Sequence, residues 1–210
     1  MSISLKDVNR PALAVVVAAN VLLYYALLSG QLRWEQFVAL MQNYENYLPA
    51  ALLSLLVGIL NSQLDHTFKA RLIFWRWHHP LPGSCAFTKI AQSDTRIDLR
   101  VLETIASPLP TDPADQNRLW FKWYRQFQDE PGIKQVHREY LFARDWAGLA
   151  VLLSTVLVPL AFWQMPHKVA VYYLAGMIIQ YLLVRWSARN HGVRFVASVL
   201  AYKSVSMGAN

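Results

Sequence analysis

The stretch WAGLAVLLSTVLVPLAFWQMPHKVAVYYLAGMIIQYLLV, residues 146–184, carries a single charged side chain, Lys168. Lys168 divides it into two charge-free windows, Trp146–His167 and Val169–Val184, joined at the turn signal Met165-Pro166-His167. Upstream, the same pattern recurs from Pro11 to Leu32 and from Asn46 to Leu64. Windows of 16–22 residues match the roughly 20 helical residues that cross an apolar bilayer core of about 30 Å. Only 16% of the 210 residues are charged and 55% are apolar, against about 25% charged in soluble domains. A soluble fold would have too little polar surface to cover four such helices. The pattern predicts an all-α polytopic membrane protein with four transmembrane helices, over about 11–29, 47–64, 146–163 and 169–184, and a small helical insert between spans two and three.

The charges that do occur are placed unevenly. Twelve of the 20 basic residues fall between Asp65 and Asp145, and four more (Arg185, Arg189, Arg194, Lys203) follow the last window. The short connections hold only Arg33 and Lys168, while Lys6 and Arg10 precede the first span. Basic segments stay on the cytoplasmic side during insertion. Both termini and the insert are therefore expected in the cytoplasm. Three segments follow: an N-terminal hairpin of spans over 1–64, a basic and aromatic insert over 65–145, and a C-terminal hairpin with its tail over 146–210. The apolar run at the N-terminus is long for a secretory signal, so the first span is expected to be retained. The one cysteine, Cys85, excludes an intramolecular disulfide and suits a reducing compartment.

Within the insert, Pro80-Leu81-Pro82-Gly83 breaks the stretch that starts at Lys69. Asp94 then reads as the cap of a helix to Ile105, with Ile97, Val101, Leu102 and Ile105 on one face. Asp112 followed by Pro113 caps a second helix, with Leu119, Trp120, Trp123, Tyr124 and Phe127 on a broad apolar face. Pro131-Gly132 should end it. A third helix from about Ile133 is expected to continue unbroken through Arg144-Asp145 into the third span, where Pro159 should kink it. The tail from Arg189 to Lys203 reads as an amphipathic helix, Phe195, Val196, Val199 and Leu200 opposing Arg194 and Lys203. It could lie on anionic lipid or pack on the insert. A short interfacial helix is expected over 34–44.

No catalytic set is legible: serine-elbow, phosphate-loop, dinucleotide and zinc-protease motifs are all missing from the chain. His78, His79, Cys85, Asp94 and Asp98 form the nearest approach to a metal set, but their spacing matches no common zinc site. No catalytic residue, metal or cofactor is expected. The informative feature is basic residues interleaved with aromatic ones. In Arg118, Trp120, Lys122, Trp123 and Arg125, cations that suit phosphates stand beside rings that suit bases. These five are the candidate ligand residues. The stretch Lys69–His79 has similar content, but it follows a span directly, and Trp with Lys or Arg is also what a membrane interface selects. Asn20, Ser54, Gly58, Asn61 and Gln180 are the polar or small positions expected to face other helices or a lumen.

This order of spans, an insert from Asp65 to Asp145 and spans again resembles the small multi-span membrane effectors of bacterial anti-phage systems, of which the Hailong-type effector is one. The resemblance lies in layout, not in a motif. It implies a homo-oligomer in the inner membrane whose cytoplasmic part senses a nucleotide or nucleic acid and whose spans then permeabilise the bilayer. The competing expectation is a membrane scaffold that recruits a soluble partner through residues 65–145. A transporter or lipid-modifying enzyme is disfavoured, since the four windows contain no Asp, Glu, Lys or Arg to mark a substrate path. The orientation is directly testable by thiol labelling of intact cells. Cys85 should be shielded while a cysteine placed at Gln31 or Pro166 is labelled; the reverse pattern overturns it.

Overall fold

The computed structural model describes residues 5–30 and 50–208, without the side chains of 50–55 and 207–208. The described residues form helices, turns and loops, with no strand among them. In order they are α1 (Leu5–Leu28), α2 (Ala50–Ser62), α3 (His66–Phe74), three short helical turns between Pro82 and Ser93, α4 (Leu99–Ile105), α5 (Pro113–Phe127), α6 (Pro131–Gln164) and α7 (His167–Gly208). The expected interfacial helix over 34–44 and the first residues of the second span, 47–49, lie outside the described residues.

Two compact units emerge. The first joins residues 1–65 with 144–185, and the second joins 66–143 with 186–210. Three helices, α1, α6 and α7, are long and apolar enough to cross a membrane. Only 39%, 39% and 22% of their most apolar 18-residue windows are buried within the chain. On α7, Tyr172, Ile178, Ile179, Leu182 and Leu183 are all exposed. So much uncovered aliphatic surface on helices whose backbones bond internally is what a hydrocarbon solvent accepts and water does not.

Several boundaries differ from those expected. α1 begins at Leu5, so Pro11 sits inside it. Asp7 and Arg10, 3.0 Å apart across one turn, occupy the segment expected to precede the span. α2 is described over 13 residues, about 20 Å of helix, and packs on α1. α6 passes through Arg144-Asp145 without a break, as read from the sequence, but it opens at Pro131 instead of Ile133. Proline fits a first turn, where its missing N–H has no intrahelical partner. The largest difference is α7. The span and the amphipathic tail form one helix of 42 residues, because 185–194 contains no proline and its one glycine, Gly192, lies where aromatic rings crowd in. A Cβ at Gly192 would stand 2.8 Å from Phe74 Cζ and 3.0 Å from Tyr140 Cε2.

The tail belongs to the second unit. Phe195, Val196, Val199 and Leu200 are buried in its core with Phe87, Leu102, Trp120, Trp123 and Ile133. Lys203, expected on the polar side, is instead 6% exposed. Its ammonium donates to Gln126 Oε1 at 3.1 Å and lies 6.0 Å from the Trp123 ring. The long stem joins the core while a carbonyl oxygen and ring faces replace water around the charge. The expected helix from Asp94 starts later, at Leu99, because Asp98 is the cap and accepts from the backbone N–H of Arg100 and Val101. Asp94 has extended backbone and is occupied by Arg96, so the two aspartates do not share a helix face. Asp112 caps α5 as read, accepting from the N–H of Ala114 and Asp115.

Gln116, 1% exposed, ties α5 to the turns before it. Its Oε1 accepts from Phe87 N at 3.0 Å, Thr88 N at 3.2 Å and Thr88 Oγ1 at 3.2 Å, and its Nε2 donates to Thr111 O at 2.8 Å. Gln116→Leu keeps the volume but orphans buried donors. It should lower stability by about 1–3 kcal/mol, read as an earlier thermal transition of the detergent-solubilised protein; an unchanged transition refutes the staple.

Candidate functional site

α5 separates the five candidate ligand residues by its own periodicity. Trp120 and Trp123 are 5% and 3% exposed. Trp120 stacks on Tyr124 with ring centres 5.9 Å apart and meets Phe195 edge-on, and Trp123 meets Phe87 edge-on. These rings are core and offer no face to a base, which corrects their expected role as stacking platforms. The apolar side of an amphipathic helix took them, since burying an indole yields more than leaving it wet. Arg118, Lys122 and Arg125 are exposed on the opposite side, together with Phe121, itself 50% exposed. Their spacing (118, 121, 122, 125) places all four on one helix face. Arg118 pairs with Asp115 at 3.0 Å and Arg125 donates to Gln128 at 3.0 Å. Behind this face, burial raises the Tyr124 hydroxyl above its ordinary pKa, and that hydroxyl hydrogen-bonds with His137 Nδ1 at 3.0 Å.

A second feature was not read from the sequence. Within the second unit, α6 and the tail half of α7 flank an open cleft of about 610 Å³. Ile133 and Val136 supply one wall, Ala201 and Val205 the other, and Arg96 and Arg194 the rim. Arg96 is held in place by Asp94. Its Nε and Nη2 donate to the two carboxylate oxygens at 2.9 and 2.7 Å, which keeps Asp94 below the usual carboxylate range and raises Arg96. Arg194 Nη1 stands 3.8 Å from Glu139 Oε2, which also faces His191 Nδ1 at 3.5 Å. No spacing rule could find this cleft, because it needs Arg96, α6 and α7 brought together from distant positions.

In the first unit, the pore or interface candidates meet different fates. Asn20 is 6% exposed, and its amide donates to Val16 O within its own helix at 2.8 Å. The Ser54 side chain lies outside the described residues. A Cβ on Gly58 would find only Arg10 Cζ, at 4.0 Å, so among the described residues Gly58 is not a close helix crossing. Gln180 is half-buried. Asn61 is the one that finds a distant partner: its Nδ2 donates to Asp145 Oδ2 at 3.0 Å.

Asp145 brings in an ion pair that the charge-free windows had excluded. Its side chain is 3% exposed and that of Arg144 is 10% exposed. Arg144 Nε and Nη2 donate to Asp145 Oδ1 at 2.9 and 2.8 Å. The windows were drawn between charges, so a buried charge at a window's edge was invisible to them. Among the described residues, no three His, Cys, Asp or Glu converge as metal ligands. Cys85 accepts from Arg76 Nη1 at 3.5 Å. Comparison with family models, curated proteins and solved structures finds no match to this chain.

Breaking the ion pair from one side should be costly, since a buried guanidinium is left uncompensated. Asp145→Asn is expected to lose about 3–5 kcal/mol, and Asn61→Ala, which removes one neutral donor, distinctly less. Thermal melts of both variants in the same detergent check this; equal losses would mean the charge is not the point.

Proposed function

We propose that the chain is an oligomeric pore or channel of a bacterial inner membrane, with four spans and with both termini and the second unit in the cytoplasm. An anionic ligand, a nucleotide or nucleic acid, gates it there. The setting, by resemblance in layout, is anti-phage defence. One observation carries the reading: α6 and α7 each run without a break from the second unit into the apolar half of the chain. In this reading, a ligand bound to the second unit biases helices whose chains continue into the spans.

The basic face of α5 is the ligand surface in this reading, reduced to Arg118, Lys122 and Arg125 now that the tryptophans are core. It contacts phosphates, so binding should be steeply salt-dependent. The same face also favours a second reading, a membrane scaffold. Phe121 exposed between three cations is an apolar anchor ringed by charge, suited to an acidic protein partner.

Flux from liposomes holding the purified protein, with single-stranded oligonucleotides or nucleotide messengers added, decides between them. Ligand-dependent flux that Arg118→Glu/Lys122→Glu/Arg125→Glu abolishes supports the channel. A protein that is monomeric in mild detergent, binds none of these ligands at low salt and passes no ions removes it. Capture of an acidic soluble partner, lost in the same triple variant and without flux, supports the scaffold instead.

A further inference from the structure

The cleft between α6 and α7 has no part in that reading, and its chemistry differs from that of the α5 face. At about 610 Å³ it falls in the range of small-molecule sites, about 300–1,000 Å³. Its lining is mainly apolar, with Ala201, Tyr202 and Val205 beside the polar Gln135, Ser198 and Ser206. Val205 is 68% exposed and Tyr202 42% exposed, so apolar area stands open to solvent, which water disfavours. A bare phosphate would leave that lining wet.

The rim is cationic, and each guanidinium keeps donors to spare. Arg96 spends Nε and Nη2 on Asp94, which leaves Nη1 and fixes the plane from which it points. Arg194 is 60% exposed, and its 3.8 Å separation from Glu139 is too long for a hydrogen bond. Asp94 and Glu139 offset part of this charge locally, yet the second unit as a whole holds 14 Lys and Arg against 8 Asp and Glu, a net +6, while the first holds 6 against 5. An anion is drawn to the second unit, and within the cleft it meets a greasy wall.

We propose that this cleft binds a phosphate-headed lipid, the phosphate between Arg96 and Arg194 and the acyl chain along Ala201, Tyr202 and Val205. Both halves of the ligand are needed. A neutral lipid leaves the arginines unused, and a water-soluble phosphate leaves the apolar lining uncovered. Occupancy would join α6 to α7 and to the Asp94–Arg96 turn, whether or not the protein conducts ions.

Mass measurement of the intact protein released from neutral detergent counts the bound lipids. Wild type should retain phosphatidylglycerol in preference to phosphatidylcholine of the same chains. Arg96→Gln/Arg194→Gln, which removes both phosphate contacts, should weaken the phosphatidylglycerol adduct by at least about tenfold, the worth of a single charge-assisted hydrogen bond. Arg100→Gln, at an exposed cation that does not line the cleft, should leave it unchanged. Glycerol phosphate in large excess should not displace the lipid. The proposal is overturned if the cleft double variant binds phosphatidylglycerol as wild type does, if phosphatidylcholine is retained equally, or if glycerol phosphate competes, which would make it a site for the head alone. Should the double variant not remain monodisperse, Val205→Asp decides. Val205 is exposed, so folding is untouched, and unchanged phosphatidylglycerol retention in that variant overturns the proposal equally. None of these outcomes depends on ion flux.

Discussion

Everything in this molecule depends on α6 and α7 meeting two different surroundings along a single backbone. In one part each helix is apolar on nearly every side and buries little of itself within the chain. In the other part each is apolar on one side only and sits in a packed aromatic core. A helix can do this because its backbone bonds are internal, so the surroundings are chosen by side chains alone. The change occurs near Arg144-Asp145 on α6 and Arg185-Trp186 on α7, where the two units divide.

That division explains how so small a second unit holds together. Residues 66–143 by themselves would be short of apolar partners. The tail of α7 returns Phe195, Val196, Val199 and Leu200 to them, and Phe195 alone touches Trp120, Tyr124, His137 and Tyr140. The same demand draws Trp120 and Trp123 inward and strips the α5 surface to its cations and Phe121. Aromatic residues that looked available to a ligand were needed to build the unit, and the surface chemistry is what remained.

The Asn61–Asp145–Arg144 cluster is a different kind of constraint. Burying a carboxylate and a guanidinium is expensive, and their mutual attraction with one added amide does little more than offset that cost. Such a pair is weak as a source of stability, and its Asn61 bond ties α2 to α6 within the first unit.

The apolar character of the spans, the division of charge among segments, the Asp112 cap of α5 and the continuity of α6 were all legible in the linear sequence. Each depends on composition or on neighbours within a turn or two, and such local causes are written in order along the chain. Which face of α5 is buried was only half legible. Its periodicity separates rings from cations, but the ring side could equally have been a binding surface until Phe195, far along the chain, packed against Trp120 and Tyr124. The start of α4 was misplaced because two aspartates four residues apart are equivalent caps on paper, and it took Arg96 turning back on Asp94 to leave Asp98 the task. Lys203 in the core, the buried Arg144–Asp145 pair and the cleft between α6 and α7 were not legible at all. Lys203 and the cleft join residues distant in sequence, and Arg144 and Asp145, though neighbours, are buried only by what packs around them; only the packed chain decides which charges meet a partner, which meet a ring and which are left facing an open cavity.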